Sequence, residues 1–301
     1  MRVIVTGAAG FLGQQVVARL TARHDVMATD LVPGPAAEAM VGDLADPETL
    51  ASLFATPSDA VIHLATLPGG ACEADPQRGW RINVEATQAL ADAAVRHGVR
   101  RFVYASSIAV FSDVAERDHV DDATPLRPAM LYGGHKALIE AWLATLKRRG
   151  DLDPIALRLP GLVARPGDGA GLKSAFLSDL FRAARDGTPI ALPVSASATS
   201  WLMSVRCAAE NIVHALERGG ADEPDGAAVT LPALRVEMAD LVAALTRHTA
   251  RAMRVEYASD PAIEHAFGSY PPLSTPTADA LGFAHDGDID RLVTHALEDL
   301  G

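Results

Sequence analysis

The chain has 301 residues, 49% hydrophobic and 21% charged, which excludes a largely disordered polypeptide and leaves enough apolar material for a large core. A formal net charge of −12 argues against nucleic acid as a partner, because phosphate repulsion would oppose association. Cys72 and Cys207 are too few for a disulfide framework and lack zinc spacing, and no run reaches the roughly 18 apolar residues of a membrane span, so the expectation is a protein of the reducing cytoplasm with no membrane partner.

The first element, Val3 to Thr6, is a β-branched run that reads as a parallel strand buried on both faces. It ends in Gly7-x-x-Gly10-x-x-Gly13, a pattern with a distinct task for each glycine. Gly7 lets the chain turn sharply, Gly10 removes a Cβ where a pyrophosphate must approach, and Gly13 lets the next helix lie close to the strand. The amides that open this helix, around Phe11 and Leu12, then point at the phosphates, where the helix dipole favours negative charge. The Phe11 side chain reads as packing for the helix. A second strand ends at Asp30, about 20 residues on, where a carboxylate accepts hydrogen bonds from the adenosine ribose. The residues after it, Leu31 to Gly34, offer no arginine for a 2′-phosphate, so NAD is expected over NADP.

Residues 39–44 read as a third strand, followed by a helix opened by Asp46 and Pro47. Ala60 to Leu64 is the fourth strand, and Asp75-Pro76 starts a long helix that ends at Gly98, with Ile82, Ala86, Ala89 and Ala93 on one side. Arg101 to Ser106 is the fifth strand, Tyr132 to Arg149 a helix stopped by Gly150, and Pro154 to Leu159 the sixth strand. Such alternation implies right-handed crossovers and an α/β fold with a doubly wound parallel sheet of the Rossmann kind, whose ligands collect at the carboxyl ends of the strands. Beyond about residue 160 the pattern loosens at Pro166 to Gly171. The expected division is a dinucleotide-binding domain over 1–165 and a smaller α/β substrate lobe over 166–301, some of whose segments return to the main sheet. Gly219 to Gly226 reads as a surface loop.

Tyr132 and Lys136 stand four residues apart, which on a helix places phenol and ammonium on one face. A free tyrosine titrates near pH ~10, so a phenolate near neutrality needs roughly 3 units, or about 4 kcal/mol, of preferential stabilisation. Lys136 and a positive nicotinamide ring supply it, and Tyr132 then serves as general base for a hydroxyl, with Lys136 also bonding the nicotinamide ribose. At the end of the fifth strand a hydroxyl orients the same substrate oxygen, and Ser107 is preferred to Ser106. Metal chemistry has little support: there is no His-Glu-x-x-His, His63 reads as a packed strand histidine, and His135 as facing away from Tyr132. Asparagine is unfavourable in mid-helix, so Asn83 points to a job near the Tyr132 helix.

Gly7-x-x-Gly10-x-x-Gly13, Asp43-Leu44, His63-Leu64-Ala65, Asn83, Ser107 and Tyr132-x-x-x-Lys136, in this order and spacing, resemble the extended short-chain dehydrogenase/reductase superfamily, the NAD-dependent epimerases and dehydratases. The resemblance implies that Asp43 and Leu44 flank the adenine, that Leu64, Ala65 and Thr66 line the cofactor, that Asn83 belongs to the cofactor site, and that Pro160 lies by the nicotinamide. It also implies a homodimer through helices 76–97 and 132–149. Leu67-Pro-Gly-Gly70, Ser106 to Phe111, Thr124 to Pro128, Leu157 to Gly161 with Arg165-Pro-Gly167, Ala175 to Ser178 and Trp201 to Arg206 are similar to the D-erythronate dehydrogenase group. That likeness implies NAD-dependent oxidation of a small anionic sugar acid at C2. Its carboxylate needs a cation, for which Arg165, Lys173 and Arg206 are the candidates. The rival readings are a nucleotide-sugar epimerase or dehydratase, disfavoured by Leu159-Pro160-Gly161 where those enzymes place an aromatic and an asparagine, and a non-catalytic NAD sensor, which has no use for Ser107, Tyr132 and Lys136.

Overall fold

The computed structural model describes residues 1–34, 39–111, 114–167, 174–220 and 222–300, and the chain divides into two compact units. The first holds residues 1–112, 126–159 and 209–230; the second holds 113–125, 160–208 and 231–301.

In the first unit, strand and helix alternate as β1 (Arg2–Thr6), α1 (Phe11–Leu20), β2 (Asp25–Asp30), β3 (Met40–Val41), α2 (Pro47–Leu53), β4 (Ala60–His63), α3 (Gly69–Ala74), α4 (Pro76–Trp80), α5 (Ala86–Arg96), β5 (Arg101–Ser107), α6 (Leu131–Arg149) and β6 (Asp153–Leu159). The described strands make a seven-stranded sheet in which β6, β5, β4, β1, β2 and β3 follow one another, and a strand from later in the chain, Ala228–Thr230, pairs outside β6. Every pairing is parallel. The order reverses direction between β1 and β4, the switch point where a parallel sheet opens a crevice at its carboxyl ends. Ile4, Phe102 and Tyr104 of the sheet pack with Leu90 of α5 and with Ile139 and Leu143 of α6 in one buried cluster.

Three details depart from the expected elements. The third strand is only Met40–Val41, because Gly42 N bonds to Asp30 O and the Asp43 carboxylate then turns the chain by accepting from Ala45 N at 2.9 Å. The long helix after Asp75 is interrupted by a π-helical turn, Arg81–Glu85, which the apolar spacing does not reveal. Loop 219–226 contains Glu223, whose side chain is fully buried and pairs with Arg101, Lys147 and Arg218, so this part of the loop is not surface.

The helix that carries the proposed chemistry is defined at both ends. Pro128 disfavours helix before it, and the Glu73 carboxylate accepts from Leu131 N at 2.7 Å, so α6 starts one residue before Tyr132. It stops at Gly150, whose φ of 73° suits the left-handed cap, after Lys147, Arg148 and Arg149 have placed positive charge on the dipole's negative end.

The second unit has its own core around Phe181, Leu180, Leu202, Leu241 and Val293. A three-stranded sheet sets Thr199–Ser204 between Leu234–Glu237, antiparallel, and Gly161–Val163, parallel, while Ile190–Leu192 pairs with Val255–Tyr257. No described helix is long and apolar enough to cross a membrane.

Candidate active site

The glycine turn sits at the switch point. Gly7 has a φ of +69°, and a Cβ there would lie 2.6 Å from Ala65 N at the end of β4. A Cβ on Gly13 would overlap the Gly7 carbonyl, so α1 lies against the turn only because that position is bare. Gly10 caps α1 without a side-chain acceptor, leaving the first amides of the helix for another group. Asp30, at the end of β2, accepts from Ala9 N at 2.9 Å and Leu31 N at 2.7 Å, which leaves lone pairs on both carboxylate oxygens. Phe11 and Leu12 are half-buried. Leu44 and Leu64 are buried, Ala65 and Thr66 half-buried, and Asp43 forms an exposed ion pair with Arg81 at 3.1 Å.

Asn83 lies inside the π-helical turn and is buried. Its Oδ1 accepts from Thr66 Oγ1 at 3.0 Å and Leu67 N at 2.7 Å, while Nδ2 donates to Leu67 O at 2.9 Å and Cys72 Sγ at 3.1 Å. These bonds fasten the loop after β4.

Lys136 is almost wholly buried, donates from Nζ to Ala105 O at 2.7 Å, and holds its ammonium 4.6 Å from the centre of the Tyr104 ring and 5.5 Å from that of Tyr132. Burial lowers its pKa to about 7, opposed by the negative charge of Glu140 and then by Cys72. Tyr132 is half-buried. The next residue, Gly133, has no room for a Cβ against the Ala109 carbonyl, so the first turn of α6 is pressed onto the 3-10 turn Ile108–Val110. Ser107 caps that turn, accepting from Ala109 N at 3.1 Å, and is half-buried. Ser107, Tyr132 and Lys136 therefore gather at the carboxyl end of β5. Ser106 is buried, with its hydroxyl donated to Glu140 at 2.5 Å.

Below this group lie side chains that sequence reasoning passed over. Glu140 also receives Arg158 of β6, at 2.8 Å from Nη2 and 3.1 Å from Nε. A charged residue in the doubly buried run Leu157-Arg158-Leu159 was the available signal, because such a charge requires a partner. Tyr104 is buried, its hydroxyl has no partner, and burial raises its pKa. His63 behaves as a packed histidine between Thr6 Oγ1, 2.6 Å, and Thr87 Oγ1, 2.8 Å; burial, with help from Lys136, lowers its pKa to about 3. His135 packs edge-on against Trp80. Among the described residues no three His, Cys, Asp or Glu side chains are grouped to hold a metal ion.

The remaining candidates belong to the second unit. Pro160 is its buried first residue after β6. Arg165 is half-buried, and its backbone is held by Ser178 Oγ and by Arg182. Arg206 pairs with Glu298 at 2.8 Å and Asp299 at 3.4 Å. Lys173 lies outside the described residues.

Comparison with known proteins agrees with this geometry. Residues 3–227 match the NAD dependent epimerase/dehydratase family. The chain is 33% identical to a D-erythronate dehydrogenase of Cupriavidus necator, covering 100% of this chain and 99% of the relative. It is 28% identical to a D-erythronate dehydrogenase of Haemophilus influenzae, covering 99% of each. Among solved structures, a nucleoside-diphosphate-sugar epimerase from Agrobacterium tumefaciens superposes with a TM-score of 0.89 at 27% identity, over 99% of this chain and 94% of that one.

Proposed function

The chain belongs to the NAD dependent epimerase/dehydratase family and is an NAD-dependent oxidoreductase of the extended short-chain dehydrogenase/reductase type, and from that premise we propose that it oxidises D-erythronate at C2 to 2-oxo-D-erythronate with Tyr132 as general base. The observation that carries the reading is the buried Lys136 ammonium held 5.5 Å from the Tyr132 ring, in a chain whose full-length relatives are D-erythronate dehydrogenases.

The cofactor site suits NAD. The bare turn at Gly7 and Gly10 and the uncapped amides at Phe11 and Leu12 receive the pyrophosphate; Asp30 takes the adenosine ribose hydroxyls with its remaining lone pairs and repels a 2′-phosphate. Asp43 and Leu44 flank the adenine, Leu64, Ala65 and Thr66 line the middle of the site with Asn83 holding their loop, and Pro160 borders the nicotinamide. Bound NAD supplies the acceptor for the hydride that leaves C2.

The protein's residues handle the rest. Tyr132 as phenolate takes the proton from the C2 hydroxyl while the C2–H bond breaks and the carbonyl forms. Lys136 stabilises the phenolate by charge and bonds the nicotinamide ribose. Ser107 donates to the same substrate oxygen. Arg165, Lys173 and Arg206 are the candidate partners for the substrate carboxylate, and of these Arg206 already pairs with Glu298 and Asp299.

The test follows NADH formation with four- to six-carbon aldonates, with a UDP-sugar control assayed for epimer product. Turnover of D-erythronate is expected; activity on the UDP-sugar with none on aldonates overturns the substrate. Tyr132→Phe is expected to keep NAD binding and lose about 100-fold or more in kcat. Full turnover in that variant removes the proposed base.

A further inference from the structure

We infer that the Glu140 carboxylate, clamped between Arg158 and Ser106, keeps the buried Lys136 ammonium charged beside Tyr132, and that Glu140 is thereby a positioning residue for the proton transfer. The inference rests on Tyr132 as base and adds a group that does not touch substrate.

The geometry is a ladder on one helix. Tyr132, Lys136 and Glu140 follow at four-residue spacing along α6, so that Glu140 lies one turn beyond the lysine and about 12 Å along the axis from the tyrosine. Two consecutive residues of β5 hold the two charged rungs: Ala105 O accepts from Lys136 Nζ at 2.7 Å, and Ser106 Oγ donates to Glu140 at 2.5 Å. Arg158 is the register partner of Ser106 on β6 and closes the clamp with its forked contact to Glu140. Without the carboxylate, Arg158 would be an unneutralised buried cation next to a buried lysine, and the lysine would shed its proton.

The groups facing Lys136 sort the source of this effect. They are Tyr104 from β5, His63 from β4, Cys72 from α3, Arg158 of β6 by way of Glu140, and Tyr132, His135 and Glu140 from its own helix, with burial and the lysine charge lowering the His135 pKa. Burial holds Tyr104 and Cys72 in their neutral protonated forms and His63 in its neutral unprotonated form. Of these neighbours Glu140 is the carboxylate, paired with Arg158 at 2.8 Å. Its charge raises the lysine pKa against the larger effect of burial.

The measurement is the ionisation of Tyr132 in the NAD-loaded protein, read as phenolate absorbance minus that of the matching Tyr132→Phe protein. Loss of the negative charge acting directly on the phenol would lower the Tyr132 pKa, whereas loss of the lysine charge raises it, so the sign separates the two routes. In Glu140→Gln the titration is expected to move up by about one pH unit, and the alkaline limb of kcat to fall at lower pH as Lys136 deprotonates sooner. The double variant Glu140→Gln/Arg158→Met leaves no unpaired buried guanidinium and is expected to show the same upward sign even if the single variant folds poorly. A Tyr132 titration unchanged or lowered in the folded variants overturns the inference. The titration gives this answer whether or not Tyr132→Phe loses turnover, so failure of the base assignment and failure of the Glu140 assignment remain distinct.

Discussion

The strand pair β5 and β6 carries a buried arginine–glutamate pair at each end, and the two ends use the same chemistry differently. At the amino end Arg101 meets Glu223 at 2.6 Å and Asp153 at 3.2 Å, and the same glutamate receives Arg218 at 3.1 Å and Lys147 at 3.4 Å. At the carboxyl end Arg158 meets Glu140 at 2.8 Å, but there the neighbour is a lysine whose proton is easily lost. Glu223 is surrounded by two guanidinium groups and an ammonium and fixes the chain's return to the sheet. Glu140 faces one titratable cation, at the end of the sheet where ligands collect. A buried ion pair is thus neither structural nor functional in itself; the group it faces decides.

The sharpest way to break this contrast is Glu223→Gln. The side chain is fully buried, and neutralising it strands the Arg218 guanidinium and the Lys147 ammonium and leaves Arg101 with Asp153 alone. Removing one partner of such a pair costs roughly 3 to 5 kcal/mol. A large fall in the urea midpoint is expected, with kcat per folded molecule and its pH profile unchanged. A displaced pH profile would mean that the amino-end pair also reaches the chemistry.

The two ends also differ in how legible they were. The glycine turn, the strands as far as β6, and the Tyr132 and Lys136 pair each rest on a pattern within a dozen residues, and such patterns survive in a bare sequence. Glu140 continues the same four-residue spacing but reads as one more polar position until Arg158 is placed beside it by strand pairing. Glu223 had no local signal: it sits in a segment rich in glycine, aspartate and proline, and its partner Arg101 is 122 positions away. The π-helical turn around Asn83 was hidden for a related reason, since an extra residue in a helical turn leaves the apolar spacing on either side nearly intact.

Lys136→Met sharpens the comparison from the other end. The lysine's folded pKa of about 7 lies below the ~10.4 of an unfolded lysine, so between these values the unfolded state binds the extra proton and stability rises with pH. Below about pH 7 both states are protonated and the native state carries the full cost of the buried charge. The methionine variant is therefore expected to exceed the parent in stability at about pH 6, on the order of 2 kcal/mol, with the advantage shrinking toward pH ~10. Paired urea titrations at the two pH values check this. An advantage that does not change with pH would place the lysine's titration outside that window.

The smallest expected effect is the most exacting. Lys147 lies on the same helix as Tyr132, fifteen positions further on, which is about 22 Å along the axis. Its ammonium reaches Glu223 at 3.4 Å from a side chain 16% exposed, and it also complements the helix dipole in the last turn. In Lys147→Met, Arg101 and Arg218 still neutralise Glu223, so the loss is expected to be about 1 kcal/mol or less. The separation from Tyr132 exceeds the screening length of about 8 Å at physiological salt, so the phenolate titration is expected to be unmoved. Glu140→Gln and Lys147→Met each remove one charge from α6, and an upward shift of the Tyr132 titration in the first with none in the second would locate the effect in the clamp beneath Lys136. Opposite shifts, down in the first and up in the second, would instead assign it to the summed charge of the helix, and the distinction between its two ends would fail.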